Sequence, residues 1–206
     1  MDRDLPKLVR LHGQDSVELD PDFLVVRDWV ESYLSQPSPL VGRSGPVCPF
    51  TTPSIERRLL WVGRVDDRHP DVEQISGVLR NLVKQFADIE PTSGRDSLLK
   101  AIILTFPNVT DYSVIDDIQR TLKPHFIKDG LMIGQFYPGC AEPGLWNPHF
   151  RPLSSPLPLI AVRQMVSSDF PFLRSTPEWI EIYLRQFAPG VPGHVRSSLA
   201  RHYEAS

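Results

Sequence analysis

The placement of proline sets the first limit on the fold. Pro37, Pro39, Pro46, Pro49 and Pro53 crowd one stretch of the chain, and Pro138, Pro143, Pro148, Pro152, Pro156 and Pro158 crowd another. Each proline fixes its own φ, removes a backbone donor and biases the residue before it toward extended backbone. Neither stretch suits a long helix or a central strand, and both are predicted to be stiff, irregular, largely extended loops. The regular elements have to lie around them.

Hydrophobic spacing locates those elements. Phe23, Val26, Val30, Tyr33 and Leu34 recur at helical spacing and predict a helix over 21–35 that Pro37 ends. Leu59 to Val65 suits a strand, and Val72, Ile75, Leu79, Leu82, Val83 and Phe86 mark a helix face after Pro70. The β-branched run Ala101 to Phe106, closed by Pro107 and Asn108, predicts a strand buried on both faces at the centre of a sheet. Thr110 is placed to cap a helix carrying Val114, Ile115, Ile118 and Leu122 that ends near Pro124. Leu131–Phe136 and Leu159–Met165 read as two further strands, and Ser175-Thr176-Pro177-Glu178 opens a helix with Trp179, Ile180, Tyr183, Leu184 and Phe187 on its face. A last short helix is predicted near 193–203.

The order of elements predicts an α/β (or α+β) fold: a mixed central sheet of about four strands, helices packed on it, and two long proline-rich loops. Parallel pairs with right-handed crossovers are expected, with the last strand free to pair antiparallel. A chain of 206 residues without a polar linker suits one domain over 1–206, with 1–20 as a loosely ordered N-terminal arm. Apolar residues make up 41% and charged residues 23%, enough for a packed core. A net charge of −3 with scattered Lys and Arg lacks the basic field that nucleic acid requires. No run approaches the roughly 18 apolar residues of a membrane span, and the N-terminus does not read as a signal peptide, so a cytoplasmic protein is expected. Cys48 and Cys140 are then reduced thiols.

The second proline-rich loop carries most of the chemistry. Tyr137, Cys140, Glu142, Trp146, Asn147, His149 and Arg151 fall within 15 residues of a stiff segment that leaves a predicted strand, which is where α/β folds tend to bind ligands. His149 is its best general base or ligand. Arg151 from the loop and Arg163 from the following strand suit a carboxylate or phosphate. Cys48, in the turn Gly45-Pro46-Val47-Cys48-Pro49-Phe50, offers a nucleophile or a haem or metal ligand. The alternatives are structural: Trp146 and Phe150 pinning the loop over the core, a solvated lone histidine, a buried cysteine acting as a small apolar residue. No H-x-x-x-H, H-E-x-x-H or C-x-x-C spacing is present, so no metal site is expected. Phosphate-loop, dinucleotide and nucleophile-elbow patterns are also missing.

Three blocks carry a resemblance: Gly42 to Phe50; Leu98 to Asp111; and Leu131 to Pro138 running through Asn147-Pro148-His149-Phe150-Arg151-Pro152 to Met165. Together they resemble a family of unknown function found beside natural-product biosynthetic genes, over roughly residues 40–175. The layout is also similar to YqcI/YcgG-type proteins, some of which are haem-dependent N-oxygenases of amino-acid derivatives. Those pair an early Cys-containing turn with a late strand ending in a Gly-x-His-Pro-like turn and a following Asn-Pro-His segment. Here Gly134-Gln135-Phe136-Tyr137-Pro138 has tyrosine at the histidine position, while Asn147-Pro148-His149 is retained.

The first resemblance implies a setting in specialised-metabolite biosynthesis and carries over no catalytic residue; the YqcI/YcgG-type layout adds a haem-dependent oxidoreductase acting on a small amino-acid-derived substrate. The expected enzyme uses His149 and Tyr137 as catalytic residues, with Cys48, Tyr137 and His149 as candidate haem-binding residues, and the residues themselves suggest Arg151, Arg163, Trp146 and Asn147 for the substrate. The alternative is a non-catalytic accessory or small-molecule-binding protein that works beside another biosynthetic protein.

Overall fold

Five strands form one mixed sheet in the computed structural model, which describes residues 6–13, 20–66, 72–188, 190–193, 195–197 and 199. They are β1 (Val9–Arg10), β2 (Leu60–Arg64), β3 (Ala101–Thr105), β4 (Leu131–Phe136) and β5 (Leu159–Gln164), in the spatial order β1-β2-β3-β5-β4. The β-branched run at 101–105 is the central strand, as its apolar continuity predicts. The fifth strand comes from the N-terminal arm, where β1 pairs with β2 and Leu11 is fully buried.

Only β2 and β3 run parallel; β1–β2, β3–β5 and β5–β4 are antiparallel. The parallel pair is connected through α3 (Val72–Asp88), and the antiparallel insertion of β5 between β3 and β4 leaves β4 at the sheet's edge.

Side chains alternate across a strand, so each face of the sheet draws on its own half of the residues. Trp61, Ile102, Leu104, Ile133, Ile160 and Val162 form one face. Ile75, Leu79 and Leu82 of α3 and Ile115, Ile118 and Leu122 of α4 (Ser113–Lys128) seal it. On the other face, Phe23, Val26 and Trp29 of α1 (Pro21–Trp29), with Val30 and Leu34 of the π turn that continues it, pack on Leu60, Val62, Ile103 and Leu159. A third cluster, including Met132, Met165, Phe170 and Tyr183, joins the β4 side of the sheet to α5 (Pro177–Phe187).

The helix termini show where packing overrides local signals. Asp20 caps α1 by accepting from the Asp22 N–H at 2.9 Å, and Arg64 of β2 binds Asp20 and Asp22 at 3.2 and 2.7 Å, which fixes α1 to the sheet. At α4 it is Asp111, not Thr110, that receives the Ser113 N–H and hydroxyl. The helix runs through Pro124 to Lys128 because Phe126 and Ile127, both fully buried, continue its apolar face. Burial of two large side chains outweighs the one backbone hydrogen bond that proline removes. Thr176 precedes α5 with Pro177 at the first helical position, one of the two starts the sequence allows. Of the last predicted helix, residues 193, 195–197 and 199 are helical, and the remainder lies outside the described residues.

The first proline-rich stretch is more regular than proline alone suggests. It holds a 3-10 turn at Pro39–Val41 and a short helix, α2 (Thr51–Glu56), with Pro53 in its first turn, where a missing N–H costs nothing. No helix among the described residues is long and apolar enough to cross a membrane.

Candidate functional site

On the α1 face, three neighbouring strands each carry a small residue. Ala101 of β3 lies opposite Arg163 of β5, and Ala161 of β5 lies between Ile103 and Gly134 of β4. Above these small residues is a cavity of about 600 Å³. That size falls in the range of small-molecule sites.

The two proline-rich segments wall the cavity. Cys48 and Phe50 come from the first, and Pro143, Gly144, Leu145 and Leu153 from the second, with Leu34 and Phe136 closing the interior. The second segment closes on itself at its base: Tyr137 and Ser154 form a bridge, and the Ser155 N–H donates to the Tyr137 carbonyl at 3.3 Å. The segments also touch each other. Gly42 has φ of +78°, and a Cβ there would stand 2.9 Å from the Trp146 Cβ. Asn147 Nδ2 donates to the Leu40 carbonyl at 2.9 Å, and the Tyr33 hydroxyl to the Arg151 carbonyl at 3.4 Å. Exposed Leu98, Leu145 and Phe172 line the opening.

Arg163 is the principal charged group of the interior. Its Nη1 and Nη2 donate to the carboxylate of buried Asp169 at 2.8 and 2.6 Å, and Nη1 also donates to the Gln164 carbonyl at 3.0 Å. Burial works against the guanidinium charge, but the Asp169 hydrogen bonds and charge, with a smaller contribution from Cys48, outweigh it and raise the pKa. The guanidinium lies 5.0 Å over the Phe50 ring. Of its five N–H groups, three are used in this way; Nε–H and the second Nη2–H, adjacent along the side-on edge, have no acceptor among the described residues.

Other charges are spoken for or lie at the margin. Lys100 borders the cavity, but its ammonium closes the end of α3, donating to the Phe86 and Ile89 carbonyls at 3.0 and 2.8 Å. Burial lowers its pKa, with Glu90 acting in opposition. Lys123 and Glu142 stand at the β4 side; burial lowers the Lys123 pKa and Glu142 partly offsets this.

The residues singled out from the sequence divide. Arg163 and Cys48 line the cavity; Tyr137, Trp146, Asn147, His149 and Arg151 do not. The Tyr137 hydroxyl donates to Asp116 of α4 at 2.9 Å, and its ring stacks on Tyr112 at 5.2 Å. Burial, then the Asp116 and Cys140 interactions, push its pKa well above the ordinary tyrosine value. His149 is exposed, its N–H held by Asn147 Oδ1 at 3.0 Å. The Arg151 guanidinium turns back onto the Pro148 and Phe150 carbonyls. Trp146 is 61% exposed on the outer side of the contact with Gly42. Tyr137 and His149 therefore do not present a paired donor set to a haem in this cavity. Among the described residues, no three His, Cys, Asp or Glu side chains converge as metal ligands.

Sequence reading missed Phe50, Phe136, Lys123 and the small-residue floor. Gly134 in Leu-Met-Ile-Gly-Gln-Phe was the available signal, because glycine inside a strand marks a close approach or a missing side chain.

A family model described as a domain of unknown function, DUF6875, matches residues 23–198. The chain belongs to this family. The match takes in the sheet from β2 onward, both proline-rich segments and α5, so the whole cavity falls within the family's domain. No curated protein and no solved structure matches the chain.

Proposed function

We propose that this DUF6875 protein binds a small, largely apolar carboxylate in the cavity beneath its proline-rich segments. The observation that carries the reading is the unused side-on fork of Arg163 in a largely apolar chamber. A guanidinium held end-on by Asp169 is pre-oriented, and its second edge matches the two oxygens of a carboxylate. Leu34, Ile103, Phe136 and Leu153 supply the apolar surroundings. An amino-acid-derived compound of specialised metabolism, the class the resemblance implies, has this chemistry.

Binding is favoured over catalysis by the disposition of reactive groups. Cys48 is the thiol in the lining, and among the described residues no histidine lines the cavity beside it as a base. The reading therefore corresponds to a ligand-binding member of a biosynthetic pathway.

Calorimetry with 4-phenylbutyrate and its uncharged amide tests it. The carboxylate should bind saturably and about tenfold or more tighter than the amide, since a charge-assisted bidentate pair is replaced by weaker bonds. Ala161→Leu, which fills the floor, should abolish both while the fold persists by circular dichroism. No saturable binding, or equal affinity for acid and amide, would overturn the proposal.

A further inference from the structure

The cavity runs to the edge of the sheet, and that edge is chemically open. The Met165 N–H donates to the Gly130 carbonyl at 2.9 Å, which makes that position a hydrogen-bonded pair of the β4–β5 ladder. Antiparallel pairing alternates, so Met132, Gly134 and Phe136 turn their backbone groups to β5, whereas Ile133 and Gln135 turn theirs away from the sheet. The Ile133 carbonyl receives Gln119 Nε2 at 3.3 Å. The Ile133 N–H and both backbone groups of Gln135 have no partner among the described residues. Both residues line the same cavity as Arg163.

This arrangement complements one kind of molecule. Arg163 lies opposite Met132 in the ladder, and Gln135 lies three residues further along β4, roughly 10 Å at ~3.4 Å per residue. A ligand that engages both needs a carboxylate at one end and an amide roughly two to three residues away, joined by an apolar body. We propose that the ligand is an acylated dipeptide, or a compound of the same chemistry, whose free carboxylate is taken by Arg163 and whose distal amide pairs with the Gln135 backbone as a short added strand. The proposal rests on the carboxylate reading above and names its ligand class. The chamber of about 600 Å³ suits a molecule of this size, and Leu145 and Phe172 at the opening cover its acyl end.

The test compares an N-acetyl dipeptide bearing a C-terminal phenylalanine with the depsipeptide in which the distal amide N–H is replaced by an ester oxygen. The exchange removes the donor to the Gln135 carbonyl and leaves the carboxylate and apolar groups intact. The dipeptide should bind about tenfold tighter. Gln135→Pro, which deletes the outward N–H at an edge position where proline is tolerated, should lower the affinity for the dipeptide about tenfold and narrow its advantage over the depsipeptide. Equal affinity for dipeptide and depsipeptide on the unaltered protein, with 4-phenylbutyrate still bound, would overturn the edge-pairing proposal alone. Failure of all three compounds would overturn the carboxylate reading with it. The comparison on the unaltered protein decides the matter even if Gln135→Pro does not fold.

Discussion

The two faces of the sheet are made from the same strands and packed by opposite means. On one face Ile102, Leu104, Ile160 and Val162 meet two long helices, and the large side chains there are almost completely buried. On the other, Ala101, Ala161 and Gly134 leave less bulk, and the two proline-rich segments bridge the gap. The difference separates a sealed core from a chamber. A helix can follow a flat apolar face closely, whereas a stiff loop tied at a few points can span a hollow without filling it. The first face supplies most of the apolar burial; the second gives up some of it and retains a chamber.

The contrast predicts a large difference between two leucine truncations. Leu122 of α4 is fully buried in the sealed core, and Leu122→Ala should cost about 2–5 kcal/mol. Leu153, partly buried where it borders the cavity, should cost clearly less as Leu153→Ala, because much of its surface already lacks a close-packed neighbour. Urea unfolding of the two variants measures this. Equal losses would mean that the second face is packed as tightly as the first.

A smaller effect is expected where the two proline-rich segments touch. Gly42→Ala puts a Cβ at positive φ and against Trp146, and the strained backbone alone should cost about 1–2 kcal/mol. Hydrogen exchange should rise over residues 40–47 and 140–150 and stay unchanged in α4. A rise in α4 as well would show that the segments and the helical face unfold as one unit.

How far this organisation could be read beforehand depended on the range of the interactions. The strand at 101–105 and the face of α3 were legible because alternation and helical spacing are local signals. The helix expected to end near Pro124 continues to Lys128, because the decisive contribution, burial of Phe126 and Ile127, belongs to tertiary packing. β1 escaped notice because a two-residue strand has no periodicity, and the position of β5 between β3 and β4 is a matter of long-range pairing. The proline-rich segment at 137–158 borders the cavity, yet its polar residues hold the segment together. Its contribution to the cavity comes from Pro143, Gly144, Leu145 and Leu153, which carry no chemical signature. That Asn147 would reach Leu40 across 107 residues of chain was beyond any local pattern.

Tyr137 joins the two faces, and its ionisation gives the finest test of the comparison. It stands at the base of the second proline-rich segment, but its hydroxyl donates to Asp116 on a helix of the sealed face. Asp116 Oδ1 is buried with no partner among the described residues, so the bond from Tyr137 to Oδ2 matters for anchoring this carboxylate. Burial first, then Asp116 and Cys140, raise the Tyr137 pKa above its unfolded value. The folded state therefore holds the phenolic proton more tightly than the unfolded chain does. The resulting stability is fully present below about pH 10, the unfolded value, and is lost as pH rises toward the folded pKa. Between pH 9 and 10.5 the unfolding free energy from urea titration should fall more steeply for the unaltered protein than for Tyr137→Phe, by less than about 1 kcal/mol after solvent screening is allowed for. Tyr33 and Tyr183, whose pKa values are also raised, remain in both proteins and cancel in the difference. Parallel curves would mean that the tie contributes nothing pH-dependent, and that the loop-covered face is held by its apolar contacts and the Gly42–Trp146 junction instead.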